Sequence, residues 1–141
     1  MAILDPGNPK HVRAAERLAT EIPIWLTTVD ANGQPQSSPV WFWWDGAVFH
    51  LFSKPDAPKV GNLRGNPRVS LNLQASDTAD DDVAIFEGIA EIDPAAPHPD
   101  NFPAYIEKYR HLIQDYGWTP ESMLEEYSVA FRVTPTRVRM S

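Results

Sequence analysis

The hydrophobic pattern switches between a period near 3.6 and a period of two, and the switches divide the chain. Between Asn8 and about Glu21, Val12, Ala15, Leu18 and Ala19 recur at helical spacing behind an Asn8 cap, with Pro9 at the first helical position. This predicts an N-terminal helix. Residues 22–30 and 34–45 are rich in β-branched and aromatic side chains, and Asn32-Gly33 between them suits a hairpin turn that needs positive φ. Asp45-Gly46 leads in the same way into a third strand, 47–53, completing an antiparallel meander. In 68–74, Val69, Leu71 and Leu73 alternate with Arg68, Ser70, Asn72 and Gln74, as a half-buried strand requires. Two more strands are predicted: 83–93, where Gly88 marks a bulge or a close backbone approach, and 128–140, interrupted at Pro135.

Helical spacing returns at Phe102, Tyr105, Ile106, Tyr109, Leu112, Ile113 and Tyr116, which predicts an amphipathic helix over about 101–116, ended by Gly117. Lys108 on that helix reads as a surface lysine remote from other candidate chemistry. Thr119 and Pro120 begin a short helix through about Tyr127, and 55–66, with Val60 and Leu63 three apart, predicts one or two turns of helix starting near Asp56. The acidic stretch 75–81 reads as a loop. Six strands joined mostly by hairpins favour a closed or nearly closed antiparallel barrel, because closure removes exposed edges. The expected fold is therefore mainly β with flanking helices, in one domain over residues 1–141.

Composition narrows the function classes. The 141 residues are 43% hydrophobic and 22% charged, enough for a packed core and inconsistent with global disorder. The absence of cysteine excludes disulfides, thiolate metal sites and a cysteine nucleophile. With no long apolar run and no signal-peptide pattern near residue 1, the expectation is a soluble cytoplasmic protein with no membrane partner. The net charge of -7 argues against nucleic acid as a partner. That charge is unevenly spread: residues 77–126 carry 13 acids against 2 bases, while Lys54, Lys59, Arg64 and Arg68 face only Asp56 within 53–68. A local basic patch on an acidic protein suits a small anion.

Catalytic constellations are scarce. His11, His50, His98 and His111 lie in separate segments without metal-ligand spacing, so no metal site is predicted, and no nucleophile elbow, P-loop or dinucleotide fingerprint is present. The strongest local signal is Ser53-Lys54-Pro55-Asp56-Ala57-Pro58-Lys59, where a strand ends in a hydroxyl and an ammonium and a second ammonium follows in a helical first turn. Helix N-termini attract anions and lysines add charge-assisted hydrogen bonds, which favours a phosphate-bearing ligand. The alternative is that Lys54 and Lys59 are solvated surface residues. Trp41-Phe42-Trp43-Trp44 places large aromatics on both faces of one strand. Core packing explains one face; the other needs a partner subunit, a helix or a flat ligand, with a subunit interface ranked first and ligand stacking second.

The order and spacing of several motifs carry a resemblance. They are Trp25-Leu26-Thr27-Thr28-Val29, Asn32-Gly33-Gln34-Pro35, Pro39-Val40-Trp41-Phe42, Asp45-Gly46, Phe52-Ser53-Lys54-Pro55, Lys59, Asn62-Leu63, Asn66-Pro67-Arg68-Val69, Glu87-Gly88 and Val133-Thr134-Pro135-Thr136-Arg137-Val138. Together they resemble the pyridoxamine 5'-phosphate oxidase-like flavin reductase superfamily, most closely its actinobacterial branch that uses the deazaflavin coenzyme F420. The resemblance implies a six-stranded split β-barrel homodimer with cofactor at the subunit interface. It implies a phosphate at Ser53, Lys54 and Lys59, a cofactor ring against Ser38, Pro39, Val40 and Trp41, and further contacts at Phe52 and Asn62. The flavin oxidases carry two arginines where Ser38 or Pro39, and Pro58, stand here, which favours F420 over FMN. The implied activity is hydride transfer from reduced F420 to a small, conjugated organic substrate. A reduced deazaflavin is itself the hydride donor, so no catalytic side chain is assigned. An FMN-dependent reductase or oxidase, and a non-catalytic F420- or flavin-binding protein, are the alternatives. Segment 75–82, helix 101–116 and the partner subunit are expected to wall the substrate side.

Overall fold

The computed structural model describes residues 2–74 and 82–140. Helix α1, Pro9–Thr20, begins where the Asn8 side chain accepts from the Lys10 N–H. The strands are β1 Pro23–Val29, β2 Pro35–Trp41, β3 Trp43–Trp44, β4 Phe49–Ser53, β5 Arg68–Asn72, β6 Ala84–Ile92 and β7 Val129–Met140. Helix α2, Pro58–Gly65, joins β4 to β5, while α3, Pro103–Asp115, and α4, Pro120–Glu126, lie between β6 and β7. The expected loop at 75–81 lies outside the described residues.

All pairings are antiparallel, in the order β2-β1-β5-β6-β7-β4-β3. The two ends of this order, β2 and β3, are halves of one segment separated only by Phe42, so the sheet curls until a single run of chain borders both edges. This is the expected split barrel, with seven strands instead of six because the segment read as one strand over 34–45 breaks at Phe42.

The break has a specific cause. The Phe42 N–H donates to Tyr109 Oη at 2.8 Å, and the Phe42 carbonyl accepts from Lys108 Nζ at 3.0 Å. Tyr109 Oη also lies 2.8 Å from the carbonyls of Phe42 and Ile22, between which its one proton is shared, and Lys108 Nζ donates to the Leu18 carbonyl at 3.2 Å. Two side chains of α3 thus take the backbone groups that a sheet neighbour would otherwise satisfy. Lys108 is therefore a clamp and not the remote surface residue that its sequence position suggested.

The Lys108 ammonium also sits 3.6 Å from the Phe42 ring centroid, and burial, opposed by Glu21, pulls its pKa to about 8. A lysine whose folded pKa is depressed carries a cost that is complete below the folded value and relieved as pH rises to the unfolded one. Wild-type stability should therefore gain on that of Lys108→Met between pH 8 and about 10.5. Denaturant melts across that range check this; parallel profiles would contradict it. Tyr105 and Tyr109, held protonated by burial, act with the opposite sign in both proteins and cancel from the difference.

Inside the barrel, Ile24, Leu26, Phe42, Phe49, Leu51, Leu71, Phe86 and Val133 are fully buried, and α1 covers this core with Ala14 and Leu18. Arg17, also buried, pairs with Glu21 and donates to the carbonyls of Gln74 and Asp82, fastening the two ends of segment 75–81. A second core on the other face of the sheet contains Phe52, Tyr105, Ile106, Tyr109, Ile113, Met123, Leu124 and Ala130. This settles the two-faced aromatic strand: Phe42 and Trp44 belong to the barrel core, while Trp41 and Trp43 pack against the helical one. On that face α3 and α4 of the same chain supply the helical partner, and Trp41 and Trp43 remain half-buried.

Gly88 stands at both features its position predicted. The β6–β7 register shifts between Glu87 and Gly88, with Glu87 opposite Arg137 and Gly88 opposite Pro135, so Thr136 is the bulged residue. The expected interruption at Pro135 is thus a one-residue bulge within a continuous strand. Among the described residues no helix is long and apolar enough to cross a membrane.

Candidate cofactor and substrate cavity

Strand β4 ends at Ser53, the chain turns with the Ala57 N–H bonded to the Lys54 carbonyl, and α2 starts at Pro58. No side chain caps α2; Pro58 has no N–H and the Val60 N–H donates to the Ala57 carbonyl at 3.0 Å, so the Lys59 N–H is the first-turn donor left for an anion among the described residues. Lys59 lies in that first turn, as the sequence predicts. Its ammonium is half-buried and has no hydrogen-bond or ion-pair partner among the described residues, and burial alone pulls its pKa below the ordinary lysine value. Lys54 differs. It is exposed, 3.1 Å from Glu126 Oε1, and this carboxylate holds its pKa above the ordinary value.

These residues border a cavity of about 750 Å³ with two unlike ends. The charged lining residues, Lys54, Asp56 and Lys59, come from the segment that enters α2, whereas Trp41, Tyr105, Tyr116, Trp118 and Tyr127 with Met123 supply an aromatic wall, and the two meet where Lys54 Nζ lies 5.5 Å from the Tyr127 ring centroid. Trp41 stacks on Tyr109 at 4.6 Å with an interplanar angle of 2°, and Tyr116 and Trp118 lie 6.2 and 6.3 Å from it. Beside them runs the edge of β2 that is not paired with β1, leaving backbone groups there open to a ligand.

Of the residues assigned to the cofactor from sequence, Pro39, Val40, Trp41, Phe52, Ser53, Lys54 and Lys59 all line this cavity. Ser53 is buried and its hydroxyl donates to the Lys54 carbonyl at 3.0 Å, so it must turn to meet a phosphate. Ser38 lies outside the lining, paired with Leu26. Asn62 also lies outside: its amide donates to Thr28 Oγ1 at 3.0 Å and Gln36 Oε1 at 2.9 Å, tying α2 to the sheet. Sequence reasoning did not reach Trp118, Met123 or Tyr127, and it placed Tyr116 in the helical core stripe. Tyr116 is instead 63% exposed, beyond the last turn of α3. The usable signal was the stripe's makeup, tyrosines in place of aliphatic residues.

A family model described as pyridoxamine 5'-phosphate oxidase matches residues 11–141. The chain belongs to the pyridoxamine 5'-phosphate oxidase family. Its architecture is the split-barrel fold of flavin- and F420-binding oxidoreductases. Among solved structures, an F420 reductase is 26% identical, with 88% of this chain and 94% of that one covered and a TM-score of 0.64. A conserved hypothetical protein from Mycobacterium tuberculosis is 25% identical, covering 99% of this chain and 86% of that one, with a TM-score of 0.72. A FAD-binding protein from Mesorhizobium loti, 20% identical over 90% of this chain and 88% of that one, shares the fold at a TM-score of 0.64. Membership in the pyridoxamine 5'-phosphate oxidase family leaves the cofactor and substrate of this chain to be argued from its own cavity.

Proposed function

We propose that this chain is an F420H2-dependent oxidoreductase acting on a small organic substrate, with the cofactor in the cavity between β2, α2 and the α3–α4 corner. The observation that carries the reading is Lys59: a half-buried cation without an anionic partner, at an uncapped helix N-terminus, at the charged end of a cavity otherwise lined by rings. A buried charge is stable only when paired, so the site fits a ligand that brings its own phosphate. Lys59, through its ammonium and its backbone N–H, and Lys54 hold that phosphate, and the free edge of β2 near Pro39–Trp41 orients a fused ring. Trp41 and the aromatic end exclude water beside it. Reduced deazaflavin, when bound, supplies the hydride. Similarity to the F420 reductase supports this choice of cofactor.

Pro39 and Pro58 bear on the choice between F420 and FMN, because neither supplies the guanidinium, nor even an N–H, that a terminal phosphate would use. In direct competition followed by absorption spectroscopy, F420 should displace FMN from the purified protein. FMN binding more tightly than F420 would overturn the assignment. The pyridoxamine 5'-phosphate oxidase family is usually dimeric, and we place a second copy against the open side of the cavity. Sedimentation at micromolar concentration should then report a dimer; a stable monomer would remove the partner from the site.

A further inference from the structure

The break between β2 and β3 lies beside the cavity wall. Lys108 Nζ has three near neighbours there, all electron-rich: the Leu18 carbonyl at 3.2 Å, the Phe42 carbonyl at 3.0 Å and the Phe42 ring, whose centroid is 3.6 Å away. An ammonium, with three N–H donors and no lone pair, satisfies this set. A neutral amine must turn its lone pair toward an oxygen or a ring face and give up one contact. The residue before Phe42 is Trp41, which lines the cavity and stacks on the Tyr109 ring at 4.6 Å and 2°. The peptide joining the two carries the N–H held by Tyr109 Oη. On its other side the half-buried indole meets only Tyr116 and Trp118, tilted or edge-on at 6.2 and 6.3 Å, so packing alone does not lock it. Its orientation depends on how firmly the backbone at Phe42 is held.

We propose that Lys108 is a positioning residue for the cavity: its charge, acting through the Phe42 carbonyl, holds Trp41 flat against Tyr109, and loss of that charge releases the indole and loosens the wall on which a ligand rests. Lys108 itself touches no ligand, because Phe42 stands between. The charge is removable under mild conditions, since burial outweighs the attraction of Glu21 and brings the ammonium to a pKa of about 8. Few other charges bear on it. From α1 the neighbour is Glu21, itself paired with Arg17; β2 and β3 contribute no charged side chain. On α3, Glu107 is taken by Arg110, His111 is exposed, and the Tyr109 ring, 5.2 Å from Nζ, is held protonated by burial. Across the cavity, Lys59 is the second lysine whose pKa burial lowers. The effect on cofactor affinity rests on the F420 reading, whereas the link from Lys108 to Trp41 needs no ligand.

The first test is fluorine NMR of the cofactor-free protein labelled with fluorotryptophan, the Trp41 signal being assigned with Trp41→Phe. In the wild type this signal should move as pH rises from roughly 6.5 to 9.5, with a midpoint near the Lys108 pKa of about 8. Lys108→Met should show one position across that range, displaced from the wild-type signal at low pH. Lys108→Arg, charged throughout, should stay near the low-pH wild-type position. A wild-type signal that does not move would overturn the proposal, and so would the same movement in Lys108→Met, which would assign it to Lys59. In the second test, F420 titration near neutral pH, Lys108→Met should bind about 3- to 10-fold more weakly than the wild type, with the gap narrowing as pH rises and Lys108→Arg recovering most of the affinity. Equal F420 affinity in wild type and Lys108→Met would also overturn it. A fluorine signal that titrates as described in a protein that does not bind F420 would sink the cofactor reading alone, so the two fail separately.

Discussion

Lys59→Ala is expected to weaken F420 binding by about 10- to 150-fold at fixed salt, the equivalent of roughly 1.5 to 3 kcal/mol for a charge-assisted hydrogen bond shielded from water. The size follows from the free protein. Lys59 is half-buried and unpaired, so part of the desolvation of its ammonium is already met when the phosphate arrives, and no anionic side chain must be displaced. Lys54→Ala should cost clearly less, because that ammonium is exposed and must first leave Glu126. Lys10→Ala, an exposed lysine on α1, should change nothing. Titration of the three variants decides the matter: equal affinity for Lys59→Ala and Lys10→Ala would remove the phosphate from this end of the cavity. Fold stability in Lys59→Ala should stay within about 0.5 kcal/mol of wild type, as for other substitutions outside the core.

Gly88→Ala is expected to destabilise the barrel by about 1 to 3 kcal/mol, the usual range for overpacking. A Cβ at this position would lie 2.6 Å from the Thr134 carbonyl oxygen and 2.8 Å from Val133 Cγ1, with the Pro135 Cα at 3.2 Å. The nearest obstacle is backbone, held in the β6–β7 ladder on both sides of the bulge, so relief requires β7 to move rather than a side chain to rotate. Gly61→Ala has the opposite sign. Its added methyl would meet nothing within 4 Å, and alanine is favoured over glycine in a helix by about 1 kcal/mol, so α2 should be strengthened. Thermal melts of the two variants, one below and one above the wild type, check the pair; a Gly88→Ala protein as stable as the wild type would contradict the packing described for the bulge.

Strand positions were legible because their signals are local. Alternation placed Val69, Leu71 and Leu73 on the buried face, and the glycine in each turn pair, Gly33 and Gly46, adopts the positive φ that the turns demand. Gly88 was legible because an isolated glycine in a strand has few other uses. What escaped depends on contacts distant in sequence. Nothing around Phe42 announces that Tyr109 and Lys108, more than sixty positions away, will take its backbone groups and divide one strand into two. The same distance hid the role of Lys108 and the cover that α3 and α4 provide for Trp41 and Trp43. In the cavity, the lysines of segment 53–59 were readable because a strand end, a helix start and two cations are adjacent in sequence. The aromatic wall was not, since Tyr116 and Trp118 follow the helix whose period had claimed the first of them for the core.

On the proposed function, one cavity receives both the phosphate and the fused ring of the cofactor. A crystal structure of the protein with F420 bound tests this most directly. It should show a cofactor phosphate oxygen within hydrogen-bond distance of Lys59 Nζ and the fused ring along the β2 edge near Pro39–Trp41. A cofactor seated elsewhere on the barrel, with Lys59 still unpaired, would contradict it.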